Sequence, residues 1–368
     1  MTERLRAGDR VLARVPDWLG DVVMAEPALR ALHERVRELG GTLSLAGTPR
    51  LLEVLGDAFE GCARVDASDA AAWRGHDLAV LFVNSFRSAW TARAARIPRV
   101  AGYARELRGF LLTHAVTPAF ERGRAPVGVG WRGHWPRYLP RPFGATCAEL
   151  VQGLGASVRD SRPRLRATEG ARTAARERLR SLGIDAGAPF VLANAGGRPD
   201  SAKAWPAQSW GSALRDLGVP VVLVAGPGEE LALARVRELA PRAHACVEPL
   251  AGLGELVALC ELASAVATAD SGPRHIANAV GTSLVVVCGP TDPRHTADHT
   301  GSTRMLRVSV ECGPCHLERC PLAGEARHRC MRGVEPELVR RALLAAFLRG
   351  REPAMDSAAS AANNPRPP

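Results

Sequence analysis

Lysine is almost missing from this chain. Of 48 basic side chains in 368 residues, only Lys203 is lysine and every other one is arginine. So broad a bias reflects genome composition, and it makes the single retained lysine informative, because a guanidinium did not serve in its place. Long apolar runs are missing too: none approaches the roughly 18 residues of a membrane span, which excludes a helical membrane protein. The first residues, MTERLRAGDRVLARV, have no apolar core between their charges and the first strand, so no secretory signal peptide is expected. No G-x-G-x-x-G follows the first strand of either half, which removes the fingerprint of a dinucleotide-dependent oxidoreductase. Nine cysteines, five of them scattered through apolar segments, suit a reducing compartment better than a disulfide framework, and a cytoplasmic location is expected.

What is present begins with charge. The net charge of +10 favours anionic partners such as nucleotides, phosphorylated lipids, a membrane face or nucleic acid. The most informative stretch is TADSGPRHIANAVGTSLVVVCGPTDPRHT, from Thr268 to Thr296. Asp270-Ser271-Gly272 is a turn, Pro273 suits the first turn of a helix Arg274–Val280, and Gly281 stands where a helix ends in left-handed backbone. Leu284–Cys288 is an uninterrupted apolar run of parallel-strand type. Asp270, Ser271 and His275 on one connection, with Thr291 and Asp292 on the next, therefore end adjacent strands, where open α/β sheets bind ligands. The helix N-terminus between them offers free N–H groups to a phosphate.

Strand–helix alternation runs through both halves. Strands are expected at Arg10–Val15, Thr42–Ala46, Ala63–Val65 and Leu78–Val83, then at Pro189–Ala193 and Val221–Ala225. Helices follow the first strand to about Leu39 and cover Ala171–Leu182, Ala207–Leu217, Leu231–Leu239, Leu256–Ala263 and Val334–Leu348. The pattern predicts two Rossmann-like domains, at 1–170 and 171–350, followed by a small, polar, disordered tail at 351–368. Asp21, after Gly20, reads either as a helix N-cap or as a carboxylate facing the ligand crevice. Asn84 and Ser85 read as a cap or as crevice residues. Between Arg105 and Arg141, arginines interleave with Trp131, His134, Trp135 and Tyr138 in a stretch broken by Gly and Pro. That surface suits an anionic sugar, a single-stranded nucleic acid, or only solvent. Cys312, Cys315, Cys320 and Cys330 fall within nineteen positions. C-x-x-C has the reach for tetrahedral zinc, but the remaining spacing is not that of a zinc ribbon, so structural thiols stand beside structural zinc as readings.

Taken together the motifs resemble glycosyltransferase family nine, the ADP-heptose:lipopolysaccharide heptosyltransferases, most closely the heptosyltransferase II branch. The likeness runs in order from about Val11 to Leu348. PDWLGDVVMAEPALRAL is similar to that family's P-S-W-x-G-D segment, and VNSFRSAW with AGYARELRGFLL to its N-S-F-x-S-A and G-x-x-x-E-x-R elements. AKAWP resembles A-K-R-W-P, and the Thr268–Thr296 block resembles D-S-G-x-x-H…G-P-T-D-P. CGPC…CPL…HRCM is similar to the branch's cysteine-containing segment. Departures are Ala204 in place of arginine, Asn194 opening its turn in place of proline or glycine, and Asp17 in place of serine.

The resemblance implies a GT-B fold, two Rossmann-like domains facing each other across a cleft, and an inverting, metal-independent transfer from ADP-heptose to the lipopolysaccharide inner core. No cofactor is implied. Asp21 would be the catalytic base and Lys203 the counter-charge to the diphosphate. Asn194, Ser201, Glu229 or Glu230, Asp270, Ser271, Gly272, His275 and Thr291 would bind the donor. Asn84, Ser85, Arg87, Arg105 and Arg108 would meet the acceptor, with peripheral, salt-sensitive contact to the cytoplasmic face of the inner membrane through Arg105–Arg141. Rival readings are a relative moving another sugar to a glycolipid and a zinc-stabilised nucleic-acid-binding protein. No recognised nucleic-acid motif supports the second, and no nucleic-acid partner is expected.

Overall fold

Leu78–Leu81, Val191–Asn194, Val221–Val224 and Ala265–Ala269 are buried at every position. Strands buried on both faces belong to parallel sheets covered by helices. The computed structural model contains two such sheets, and it describes residues 4–117, 120–121, 137–138, 141–198, 200–246, 251–296 and 302–350. The first sheet holds β1 (Arg10–Arg14), β2 (Thr42–Gly47), β3 (Ala63–Asp66), β4 (Leu78–Leu81), β5 (Arg99–Tyr103) and β6 (His114–Val116). A short antiparallel pair, β7 (Phe120–Glu121) and β8 (Arg137–Tyr138), follows. The second sheet holds β9 (Val191–Asn194), β10 (Val221–Val224), β11 (His244–Ala245), β12 (Ala265–Ala269), β13 (Ser283–Val287) and β14 (Thr303–Leu306). Their orders, β3-β2-β1-β4-β5-β6 and β11-β10-β9-β12-β13-β14, are the same doubly wound order used twice. The winding reverses between β1 and β4 and again between β9 and β12, and a crevice opens at such points beyond the strands' C-terminal ends.

The helices are α1 (Leu19–Glu38), α2 (Pro49–Leu52), α3 (Phe86–Ala94), α4 (Phe143–Gly153), α5 (Glu169–Ser181) and α6 (Ala207–Leu214). They continue with α7 (Glu230–Leu239), α8 (Leu253–Leu262), α9 (Gly272–Val280), α10 (Arg329–Arg332) and α11 (Pro336–Arg349). One apolar core runs unbroken from α1 (Val22, Val23, Leu29) to α9 (Ile276, Ala277), so the inner faces of the two sheets share it. Separate clusters fill the outer faces, under α3 in the first half and under α6 and α11 in the second.

The chain crosses between the sheets over residues 154–168, and buried Glu26 on α1 holds that crossing. Its carboxylate accepts from Arg30 Nε at 2.8 Å and from the Arg164 N–H at 2.9 Å, while Arg30 also reaches the Arg162 carbonyl at 3.1 Å. Ion pairs from Arg172 to Glu261 (3.0 Å) and from Arg178 to Glu255 then clamp α5 to α8.

Two expectations change. Trp18 is the N-cap of α1 and Asp21 lies inside the first turn, so the cap reading of Asp21 is corrected. The strands β5, β6, β11 and β14 and the helices α3 and α4 were not expected. β5 opens with an arginine and contains a glycine, which reads as loop. In the fold Arg99 is buried because it pairs with Asp9 at 2.5 Å. Trp131, His134 and Trp135 of the Arg105–Arg141 stretch and the 351–368 tail lie outside the described residues, while Tyr138 falls in β8. Removing the crossing brace tests this account: Glu26→Ala loses about 1–3 kcal/mol in urea unfolding, whereas Glu38→Ala, an exposed ion-pair control, changes stability by less than about 0.5 kcal/mol. Equal effects would show that Glu26 is not a brace.

Candidate active site

Four connections converge at the two reversal points. β1 leads through Val15–Trp18 into α1, β4 through Asn84-Ser85 into α3, β9 into the 194–206 turn that carries Lys203, and β12 through Asp270-Ser271 into α9. The N-termini of α1 and α9 meet, and glycine makes this approach feasible. A Cβ on Gly20 would lie 2.7 Å from His275 Cδ2, and one on Gly272 would lie 2.5 Å from Leu19 Cδ2. Neither N-cap residue, Trp18 or Ser271, caps its helix through its side chain. Two sets of first-turn N–H groups therefore stand uncapped at the same place, and the positive ends of both helix dipoles favour an anion there.

Asp21 is half-buried beside them, and among the described residues its carboxylate accepts no hydrogen bond. Burial lifts it to about 6, although the Lys203 ammonium pulls the other way. Lys203, from the other domain, acts on Asp21, Asp270 and His275 alike, and among the described residues its ammonium forms no ion pair. His275 is pushed down to about 4 by burial and by the Arg274 guanidinium, so its imidazole is neutral at physiological pH.

The remaining donor-side residues are mostly engaged by the protein. Asp270 is 4% exposed, with one oxygen on Arg274 and the other on the Thr291 hydroxyl. Arg274 in turn donates to the Thr296 hydroxyl and carbonyl, both at 3.0 Å. Both oxygens of Asp270, expected to meet sugar hydroxyls, are thus engaged within the protein, and the enclosed carboxylate braces the turns around Lys203. Asn194 is likewise buried, donating to the Val224 carbonyl at 3.2 Å and facing the Thr268 hydroxyl at 3.4 Å. Ser201 shapes the lysine turn by accepting from the Lys203 N–H at 3.3 Å. Ser271 keeps its hydroxyl near those of the β12 end, 3.2 Å from Thr268 Oγ1. Gly272 is there for helix approach. Glu229 accepts from the Gly226 N–H at 2.9 Å and packs against Gly196, at the end of β9; Glu230 accepts from Gly228 and is turned to solvent.

On the other side, Ser85 is the N-cap of α3, accepting from the Ser88 N–H, as its cap reading anticipated. Arg108 is fully buried and donates to the Tyr103 and Ser85 carbonyls and the Ser88 hydroxyl, with Asn84 Oδ1 at 3.5 Å. Burial lowers it to about 10, which leaves it charged. Arg108, expected to meet an acceptor, is in this structure an internal brace with no exposed surface. Arg87 is exposed and Arg105 half-buried. Sequence reasoning missed an exposed apolar patch beside them: Phe86 stacks on Trp90 at 6.4 Å and touches Phe110 at 6.2 Å, with Trp18 and Leu107 also exposed. A signal was available, since each aromatic adjoins a polar motif residue where a core position was not needed.

The family model for glycosyltransferase family 9 (heptosyltransferase) matches residues 73–325. The chain belongs to glycosyltransferase family 9. Among curated relatives, the lipopolysaccharide heptosyltransferase 2 of Escherichia coli (strain K12) is 24% identical over 367 residues, covering 92% of this chain and 99% of the relative. Two solved structures share the fold. One is the E. coli ADP-heptose lipopolysaccharide heptosyltransferase II, with a TM-score of 0.68, 20% identity and coverage of 92% and 99% of the two chains. The other is a family 9 glycosyltransferase of Veillonella parvula, with a TM-score of 0.73, 18% identity and coverage of 95% and 100%. In this family 9 chain the GT-B architecture places both reversal points face to face.

Among the described residues, one group has metal-ligand atoms within 4.8 Å of one another: Asp292, His295 and His316. Arg294 already forks the Asp292 carboxylate, with Nη2–Oδ2 at 2.6 Å and Nε within 3.1 Å of both oxygens, and holds it down at about 2. No helix among the described residues is long and apolar enough to cross a membrane.

Because Asp21 titrates near 6 in the fold and near 3.8 otherwise, ionising it costs stability above pH 6, and that cost fades as pH falls toward 4. Asp21→Asn is therefore expected to be more stable than wild type at about pH 8, by on the order of 1–3 kcal/mol, with the gain shrinking towards zero near pH 4. A difference in Tm independent of pH would contradict the raised carboxyl.

Proposed function

We propose that this chain transfers heptose from ADP-heptose to the inner core of lipopolysaccharide, inverting the anomeric centre. The observation that carries the reading is that Asp21, a half-buried carboxylate that accepts no hydrogen bond among the described residues, lies across the cleft within electrostatic reach of the single lysine. The family and the names of the relatives supply the sugar and the acceptor. Asp21 takes the proton from an acceptor hydroxyl; that oxygen attacks the anomeric carbon, and the bond to the ADP oxygen breaks on the opposite face with its electron pair. A carboxyl near 6 is ionised at neutral pH yet basic enough to receive that proton. Lys203 and the N–H groups of α9 neutralise the charge growing on the diphosphate. His275, neutral, completes the donor side without opposing them. Glu229, at the end of β9, is the better placed of the two glutamates for the ribose.

The acceptor is a glycolipid, and the Phe86–Trp90–Phe110 patch with exposed Arg87 suits an amphipathic partner bearing phosphates. Peripheral contact with the cytoplasmic membrane face follows from that chemistry.

Purified protein given ADP-heptose and heptose-deficient lipopolysaccharide core should release ADP. Asp21→Asn should cut kcat by about 10²–10⁴-fold, and Lys203→Ala should slow transfer by about 10²-fold or more and raise the donor KM. In wild type, kcat/KM should fall below about pH 6 as Asp21 gains a proton. Normal turnover by Asp21→Asn would remove it as the base, and ADP binding without heptose transfer would refute the sugar assignment. Trp90→Ala with Phe110→Ala should weaken sedimentation with anionic vesicles, and high salt should release the wild type. Retention in the pellet after a salt wash would refute peripheral contact.

A further inference from the structure

The segment Cys312–Cys330 takes no part in the chemistry above, yet it touches both loops that surround Lys203 and Asp270. The Glu318 carbonyl accepts from the Ala202 N–H at 2.8 Å, next to Lys203, and the His316 N–H donates to the Pro290 carbonyl at 2.9 Å, next to Thr291. A Cβ on Gly289 would lie 3.0 Å from Cys330 Sγ, so this turn rests directly on a cysteine.

Little apolar burial holds the segment in shape: Leu317, Leu322 and Ala326 are only half-buried around the cysteines, and Cys330 alone of its residues packs on the neighbouring core. No residue from Cys312 to Cys330 is fully buried; the next residue, Met331, is. Within these positions there is no strand, only a short 3-10 turn at Gly324–Ala326 and the start of α10. Irregular chain with so small an apolar contact of its own is commonly stapled by a disulfide or a metal. Here all four cysteines are free thiols lining one cavity of about 20 Å³, room for a single small occupant. The sulfurs of Cys312, Cys315 and Cys320 all act on that of Cys330. The His328 N–H donates to Cys320 Sγ at 3.4 Å, the kind of hydrogen bond that supports a ligating thiolate. His328 lines the same cavity, and its Nε2 is buried with no hydrogen-bond partner among the described residues.

We propose that Cys312, Cys315, Cys320 and Cys330 bind one thiophilic d-block ion, zinc or iron, and that this staple holds the Lys203 loop against the Gly289–Asp292 turn. Four sulfur donors suit a tetrahedral ion of this type. Each ligating thiol releases its proton to solvent and no electron moves. The sulfurs stand wider than the 4.8 Å donor spacing of the Asp292 group, and binding draws them inward. The staple is independent of the sugar assignment; only its effect on donor binding rests on the reading of Lys203.

The test uses the full chain, expressed with zinc and iron supplied and purified without chelator. Elemental analysis should find one ion per chain, and the retained element distinguishes zinc from iron. Cys315→Ser and Cys330→Ser should each lose it. Cobalt exchanged into wild type should show thiolate-to-cobalt charge-transfer bands and the strong visible bands of a tetrahedral site. Metal-stripped protein should bind ADP several-fold more weakly. A metal-free chain whose thiols all react at once, or a bound ion indifferent to both serine substitutions, would overturn the proposal. If the variants do not fold, the cobalt spectrum of wild type decides: octahedral bands without charge transfer overturn it. Unchanged ADP affinity on stripping would overturn the link to the Lys203 loop.

Discussion

The contact on which the rest of this structure depends is the meeting of two helix N-termini, α1 from the first half and α9 from the second. Two glycines set its closeness, since a methyl group at Gly20 or Gly272 would run into His275 or Leu19. The unbroken core behind it, from Val22 and Leu29 to Ile276, makes the contact an extension of ordinary packing. With both reversal points turned to one another, each half contributes what the other lacks. The first supplies a carboxylate, and the second supplies a lysine and an uncapped helix end of the kind that favours anions.

Within that frame the acidic residues divide by what already holds them. Asp270 is locked to Arg274 and Thr291, Asp292 to Arg294, and Glu229 to a backbone N–H. Losing a partner from the enclosed Asp270–Arg274 pair would strand a charge, so this pair is suited to hold shape. Asp21 has no such partner, and burial works on it unopposed except by Lys203. The same partial burial that makes Asp21 costly to ionise suits it to the base role proposed for it. Stability is given up at the proposed proton acceptor, and neighbouring braces keep the loops in place.

The arginine-rich composition fits this division. Arg108 and Arg274 are buried because a planar guanidinium can satisfy several carbonyls and hydroxyls at once. At position 203 the site instead has a compact ammonium that forms no ion pair among the described residues, the property that suits it to the diphosphate role proposed.

Much of this was legible in the residues. Apolar runs such as VVLV and SLVVV marked the parallel strands, and Asp-Ser-Gly-Pro with Gly281 marked both ends of α9, because those signals are local backbone preferences. The family motifs named Asp21 and Lys203. Residue types and spacing could not say which polar groups face ligand and which face protein. Arg108, Asp270 and Asn194 look like ligand groups in sequence and are internal braces in the fold, while Arg99 looks exposed and is buried beside Asp9. Those outcomes depend on partners far along the chain. The sequence by itself determined the doubled strand–helix pattern and the candidate chemistry. Only the tertiary structure brought Asp21 within reach of the Lys203 charge, because burial and opposing charge belong to the assembled cleft and to neither segment alone.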